Sequence, residues 1–112
     1  MSGLSTHVLD TARGLPAAGV EVILEIEDGG YRELARTRTD GDGRVAALLP
    51  SGEPLRAANY RLTFATGDHF RALGVESFYP RAVVEFTVRD PARHHHVPLL
   101  LSPFAYTTYR GS

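Results

Sequence analysis

The feature that most restricts the fold is a strict two-residue alternation. Val20, Val22, Leu24 and Ile26 alternate with Glu21, Ile23, Glu25 and Glu27, the period of an extended strand with one face in a core and the other largely wet. The same period returns in Tyr60, Leu62 and Phe64 against Arg61, Thr63 and Ala65, and in Ala82, Val84, Phe86 and Val88 against Val83, Glu85, Thr87 and Arg89. A helix does not put residues two apart on one side, so these three segments commit the chain to sheet.

Turn chemistry divides the remainder. Gly14 and Pro16 fall in a loop over 11–19 that follows a short strand at Ser5–Leu9, and Gly29-Gly30 joins the strand from Val20 to a hairpin partner over Tyr31–Thr39. Asp40-Gly41-Asp42-Gly43 is a further turn, setting Arg44 at the mouth of a strand expected over Val45–Leu49. Asp68–Leu73, stopped by Gly74, is the single helical candidate. The tail from His94 carries two apolar, strand-like runs parted by Ser102-Pro103, because proline lacks the amide hydrogen that a sheet interior requires. About eight short strands with one short helix imply an all-β fold, an antiparallel two-sheet β-sandwich. A chain of 112 residues can form one core without metal or disulfide support, so a single domain over 1–112 is expected.

Composition removes several function classes. With 43% hydrophobic and 22% charged residues and no long apolar run, the chain is neither disordered nor membrane-spanning in its pattern. Twelve basic against thirteen acidic side chains leave a formal net charge of -1, with no broad positive field for nucleic acid. The absence of cysteine removes disulfides, thiolate nucleophiles and thiolate metal sites. No basic and apolar leader follows Met1, and a cytoplasmic location is expected. Chemistry is left to histidine, carboxylates and hydroxyls.

Of the five histidines, His7 lies near the start, His69 in the helical candidate and His94, His95 and His96 near the end. On a strand His94 and His96 share a face with Pro98, while His95 points the other way with Val97, Leu99 and Leu101. Three readings stand side by side. The histidines are solvated residues that keep an edge strand from further pairing, or ligands of an open zinc site, or neutral imidazoles acting as general base and proton shuttle. Against zinc, no acidic residue nearby in sequence offers the partner that a ligating imidazole usually has. Arg44 after a tight turn is ordinarily a solvated cation, but its planar fork of donors also suits a flat, oxygen-rich heterocycle or an oxyanion. Phe104, Tyr106 and Tyr109 argue that the final Tyr109-Arg110-Gly111-Ser112 is packed rather than frayed.

Four stretches carry a resemblance: LSTHVLDTARGLPAAGV from Leu4 to Val20, DGDGR from Asp40 to Arg44, FYP from Phe78 to Pro80, and HVPLLLSPFAYTTYRGS from His96 to Ser112. Together they resemble the motifs of the transthyretin-related family whose enzymes are 5-hydroxyisourate hydrolases, over nearly the whole chain. The terminal tetrapeptide is the specific part, since in that family it accompanies hydrolase activity, whereas hormone-carrying transthyretins share the fold but lack this ending and the catalytic histidines. The resemblance implies a transthyretin-like sandwich, a homotetramer with sites in a channel between dimers, and 5-hydroxyisourate as substrate. It also implies a site of His7, Arg44, His96 and Ser112, walled by Tyr109, Arg110 and Gly111, and no cofactor or metal is expected. His95 stands where the family commonly has tyrosine, and Arg81 where an acidic residue often follows FYP; neither departure touches the four residues. A small-ligand carrier, a β-sandwich interaction module and a metal-dependent hydrolase are the competing readings, and the division of labour between His7 and His96 stays open.

Overall fold

Alternating segments become the centre of one sheet. In a computed structural model describing residues 3–111, the elements in chain order are β1 (Leu4–Asp10), β2 (Leu15–Pro16), β3 (Glu21–Glu27), β4 (Tyr31–Arg38), β5 (Arg44–Val45), β6 (Ala58–Phe64), α1 (Thr66–Ala72), β7 (Ala82–Val88), β8 (His95–Ser102) and β9 (Ala105–Thr108). One sheet runs β4-β3-β6-β7; the other runs β2-β1-β8-β9, with β5 also pairing β1. Their inner faces bury Val22, Leu24, Ile26, Tyr60, Leu62 and Phe64 from the first, and Leu4, Val8, Val97, Leu99 and Leu101 from the second. This is an all-β two-sheet sandwich with one short helix, the architecture expected from the alternation. No helix of the described residues is long and apolar enough to cross a membrane.

Two details depart from the sequence-based expectation. Strand pairing is antiparallel except between β1 and β8, which run parallel from Leu4↔His95 to Asp10↔Leu101; strands so far apart in the chain are free of the hairpin constraint that enforces antiparallel order. The strand expected over Val45–Leu49 is only the two-residue β5. Beyond it Ala46 and Ala47 are exposed, Leu48 and Leu49 turn into the core, and Leu48 donates its amide to the Leu4 carbonyl at 3.0 Å. Alanines favour strand weakly and Pro50 cannot extend a ladder, so burial of the two leucines decides the local path.

The end of β1 is anchored by a fully buried carboxylate. Asp10 Oδ1 accepts the amides of Ala12 and Arg13, both at 3.1 Å, and Oδ2 lies 2.9 Å from His69 Nε2 on α1. His69, which the sequence did not mark as functional, thus ties the helix to the strand that carries His7. Asp10→Ala leaves three donors without their acceptor, and a stability loss of about 3 kcal/mol is expected in urea unfolding; a loss below about 1 kcal/mol would show the bonds to be dispensable.

Candidate active site

The site is built on the outer face of the β2-β1-β8-β9 sheet. In β1 the even positions Leu4, Thr6, Val8 and Asp10 are buried, so Ser5 and His7 share the opposite face. Register places Arg44 of β5 directly across from His7, and His96 of β8 directly across from Ser5. Directly opposed residues face the same way, so Arg44, His7, Ser5 and His96 form one outward group assembled from three strands.

Arg44 owes its position to the turn before it. Asp40 Oδ1 accepts the amides of Asp42 and Arg44, both at 2.9 Å, and these bonds hold its carboxyl below the usual range, keeping it ionised. Gly43 has φ 75°, and a Cβ there would stand 2.3 Å from the Val8 carbonyl. Only glycine lets the turn lie against β1, where the Val8 amide donates to the Gly43 carbonyl at 2.7 Å. The Asp42 carbonyl, 2.8 Å from His7 Nε2, can only accept, so that nitrogen carries the proton and neutral His7 has its lone pair on Nδ1. One turn therefore positions Arg44 and fixes the tautomer of His7.

His96 is half-buried, with its Nδ1 2.8 Å from Ser5 Oγ. Ser5 Oγ is also 2.8 Å from His94 Nε2, so His94 and His96 meet at one hydroxyl as expected, although β8 begins only at His95 and His94 lies just before it. Burial first, then the charges of Arg44, His7 and His94, push the His96 pKa below its ordinary 6.5. Its imidazole is therefore neutral at physiological pH. His95 points inward, is buried, and has Nδ1 2.9 Å from the Arg93 carbonyl. Among the described residues no three His, Asp or Glu converge in a way that could hold a metal ion.

The C-terminal segment closes the other side of His96. Gly111 donates its amide to the His96 carbonyl at 2.8 Å, and a Cβ on Gly111 would lie 2.7 Å from His96 Cδ2. Glycine is thus required for the backbone to lie against the ring. Exposed Tyr109 and Arg110 line a cavity of about 280 Å3 together with His95, His96, Val84 and Phe86; His7 and Arg44 do not line it. Of the seven residues anticipated for the site, His7, Arg44, His96 and Gly111 come together, Tyr109 and Arg110 flank His96 on the side of this cavity, and Ser112 lies outside the described residues. Ser5 and Asp40 were missed, although alternation alone put Ser5 on the face of His7.

The family model described as HIUase/Transthyretin family matches residues 4–111. The chain belongs to that family. Within it, the chain is 51% identical to the 5-hydroxyisourate hydrolase of Caulobacter vibrioides, across all of both chains. Its backbone is similar to that of Klebsiella pneumoniae 5-hydroxyisourate hydrolase, with a TM-score of 0.86 and 43% identity over all of this chain and 94% of the other. Sea bream transthyretin, in complex with thyroxine, superposes with a TM-score of 0.89 at 32% identity, over 97% of this chain and 94% of that one. A 5-hydroxyisourate hydrolase and a thyroxine-bound transthyretin share this backbone, so the discriminating observations are the side chains.

Two measurements check the electrostatics and packing. In NMR titration His96 is expected to titrate below 6.5, and Arg44→Met, which removes a repelling cation, to raise that value; an unchanged or lowered value would mean Arg44 does not act on the ring. Gly111→Ala is expected to shift the His96 ring resonances while thermal stability changes little.

Proposed function

We propose that this protein hydrolyses 5-hydroxyisourate to 2-oxo-4-hydroxy-4-carboxy-5-ureidoimidazoline in urate degradation, as a single domain over residues 1–112. The observation that carries this reading is the grouping of His7, Arg44 and His96 on one sheet face, with His96 kept neutral, in a chain 51% identical to a 5-hydroxyisourate hydrolase. His96 takes a proton from water as the water attacks the ring amide carbonyl, because a depressed pKa leaves its lone pair available. His7, protonated on Nδ1 from solvent before each turnover, delivers that proton to the leaving nitrogen, and the Asp42 carbonyl, accepting the Nε2 proton, keeps the ring oriented. Arg44 holds substrate oxygens and offsets the charge that builds on the attacked carbonyl. Tyr109, Arg110 and Gly111 wall the site, and Ser112 orients the substrate. No cofactor or metal takes part.

The working form is a cytoplasmic homotetramer. Phe78 and Phe104 are 69% and 62% exposed in the single chain, apolar surface of the kind that assembly with other copies would cover. The small-ligand carrier is the competing outcome: it binds without turnover.

The test generates 5-hydroxyisourate with urate oxidase and follows its ultraviolet decay above the spontaneous rate. Catalysed decay is expected, with His96→Ala reducing kcat roughly a thousandfold and Arg44→Met roughly a hundredfold, about 3 kcal/mol of transition-state stabilisation. Protonation of His96 removes the base, so kcat/KM should fall with acid through a limb below 6.5. Absence of acceleration by folded protein would reject the hydrolase reading.

A further inference from the structure

Ser5 stands between two imidazoles. It is only 8% exposed, and its Oγ is 2.8 Å from His94 Nε2 and 2.8 Å from His96 Nδ1. A hydroxyl has one proton to donate, so it can donate to one ring only and must accept from the other. When Ser5 donates to His94, His96 carries its proton on Nδ1 and has its lone pair on Nε2. When Ser5 donates to His96, that lone pair is lost to Nδ1 and Nε2 carries the proton. The tautomer of His96 is thereby tied, through Ser5, to that of His94.

We propose that Ser5 is a positioning residue which holds His96 with its Nε2 lone pair towards the substrate and passes the proton that His96 acquires on to His94. This rests on the hydrolase reading. When water gives its proton to His96 Nε2, the Nδ1 proton moves to Ser5 Oγ, and the hydroxyl proton of Ser5 moves to His94 Nε2. One proton has travelled, Ser5 is again a hydroxyl and His96 is again neutral. Opening a cyclic amide gives a carboxylic acid with a pKa of about 3.5, which ionises at neutral pH, so each turnover must release a proton to solution. His94 is exposed and His96 half-buried, so the relay runs outward. Arg44 and His7 face His96 from β5 and β1 and oppose a lasting positive charge on it, which favours onward transfer.

The test has two arms. Long-range 1H–15N NMR of histidine-labelled protein reads the tautomers without any substrate. His94→Gln is expected to change the His96 tautomer populations, and Ser5→Ala to abolish that dependence. His96 tautomers indifferent to both substitutions in folded protein would overturn the proposal, whatever the activity. In the kinetic arm Ser5→Ala is expected to lose about tenfold in kcat with KM nearly unchanged, to recover most of it in imidazole buffer, and Ser5→Thr, which keeps the hydroxyl, to retain most activity. An unchanged kcat, or a loss that buffer does not restore, counts against proton transfer through Ser5. Should Ser5→Ala not fold, exposed His94→Gln is expected to show the same buffer-rescued loss. Coupled tautomers in a protein without hydrolase activity would sink the hydrolase reading alone.

Discussion

The parallel pairing of β1 with β8 is the constraint on which the site depends. It sets Ser5 opposite His96 and places His7 one step along the same face. Side chains 91 positions apart are thereby held at 2.8 Å. Burial of Leu4 and Val8 on one strand and Val97, Leu99 and Leu101 on the other specifies the register, since a slip of one residue would turn these apolar side chains to water. Thr6 adds a buried bond from its hydroxyl to the Val97 carbonyl at 2.6 Å. The hydrophobic effect on the inner face thus sets the geometry of the polar group on the outer one.

The electrostatics of that group are unusual for a histidine that takes a proton. A carboxylate behind an imidazole raises its pKa and favours the charged form. Behind His96 stands instead the neutral hydroxyl of Ser5, with Arg44, His7 and His94 around it, and its pKa falls. Among the described residues, the strongly held carboxylate of Asp40 is turned to the amides of Asp42 and Arg44 and serves the turn rather than an imidazole. A weaker base that is unprotonated at neutral pH suits attack on an electron-poor ring carbonyl, where little driving force is needed from the base. It also gives up its proton readily.

Much of this was legible in the sequence because it is periodic or local. The alternation in β3, β6 and β7, the turn at Asp40–Gly43 and the stop at Gly74 each rest on residues within a few positions of one another. Strand alternation also led to the expectation that His94 and His96 turn to the same side, and both rings do reach Ser5, although His94 lies just before β8. What escaped was set at long range: the parallel order of β1 and β8, the role of Ser5 between two rings, and the Asp10–His69 contact. Val45–Leu49 misled because Leu48 and Leu49 are buried by their own packing while Ala46 and Ala47 stay exposed, and apolar content without period does not distinguish a strand from an irregular segment.

The division between the two faces of the sheet also explains how one backbone serves different ends. Core residues of β1 and β8 must be apolar and in register, so they leave little freedom. Ser5, His7, Arg44 and His96 point away from that core, and exchanging them alters chemistry while leaving the burial that stabilises the sandwich intact. Glycines are the exception, because Gly43 and Gly111 are fixed by close approach of the backbone to the Val8 carbonyl and the His96 ring. They bind the reactive face to the fold. A chain that gave up catalysis would be released first from the need for Gly111 and only later, if at all, from the need for Gly43, because the first serves an imidazole and the second serves the strand itself.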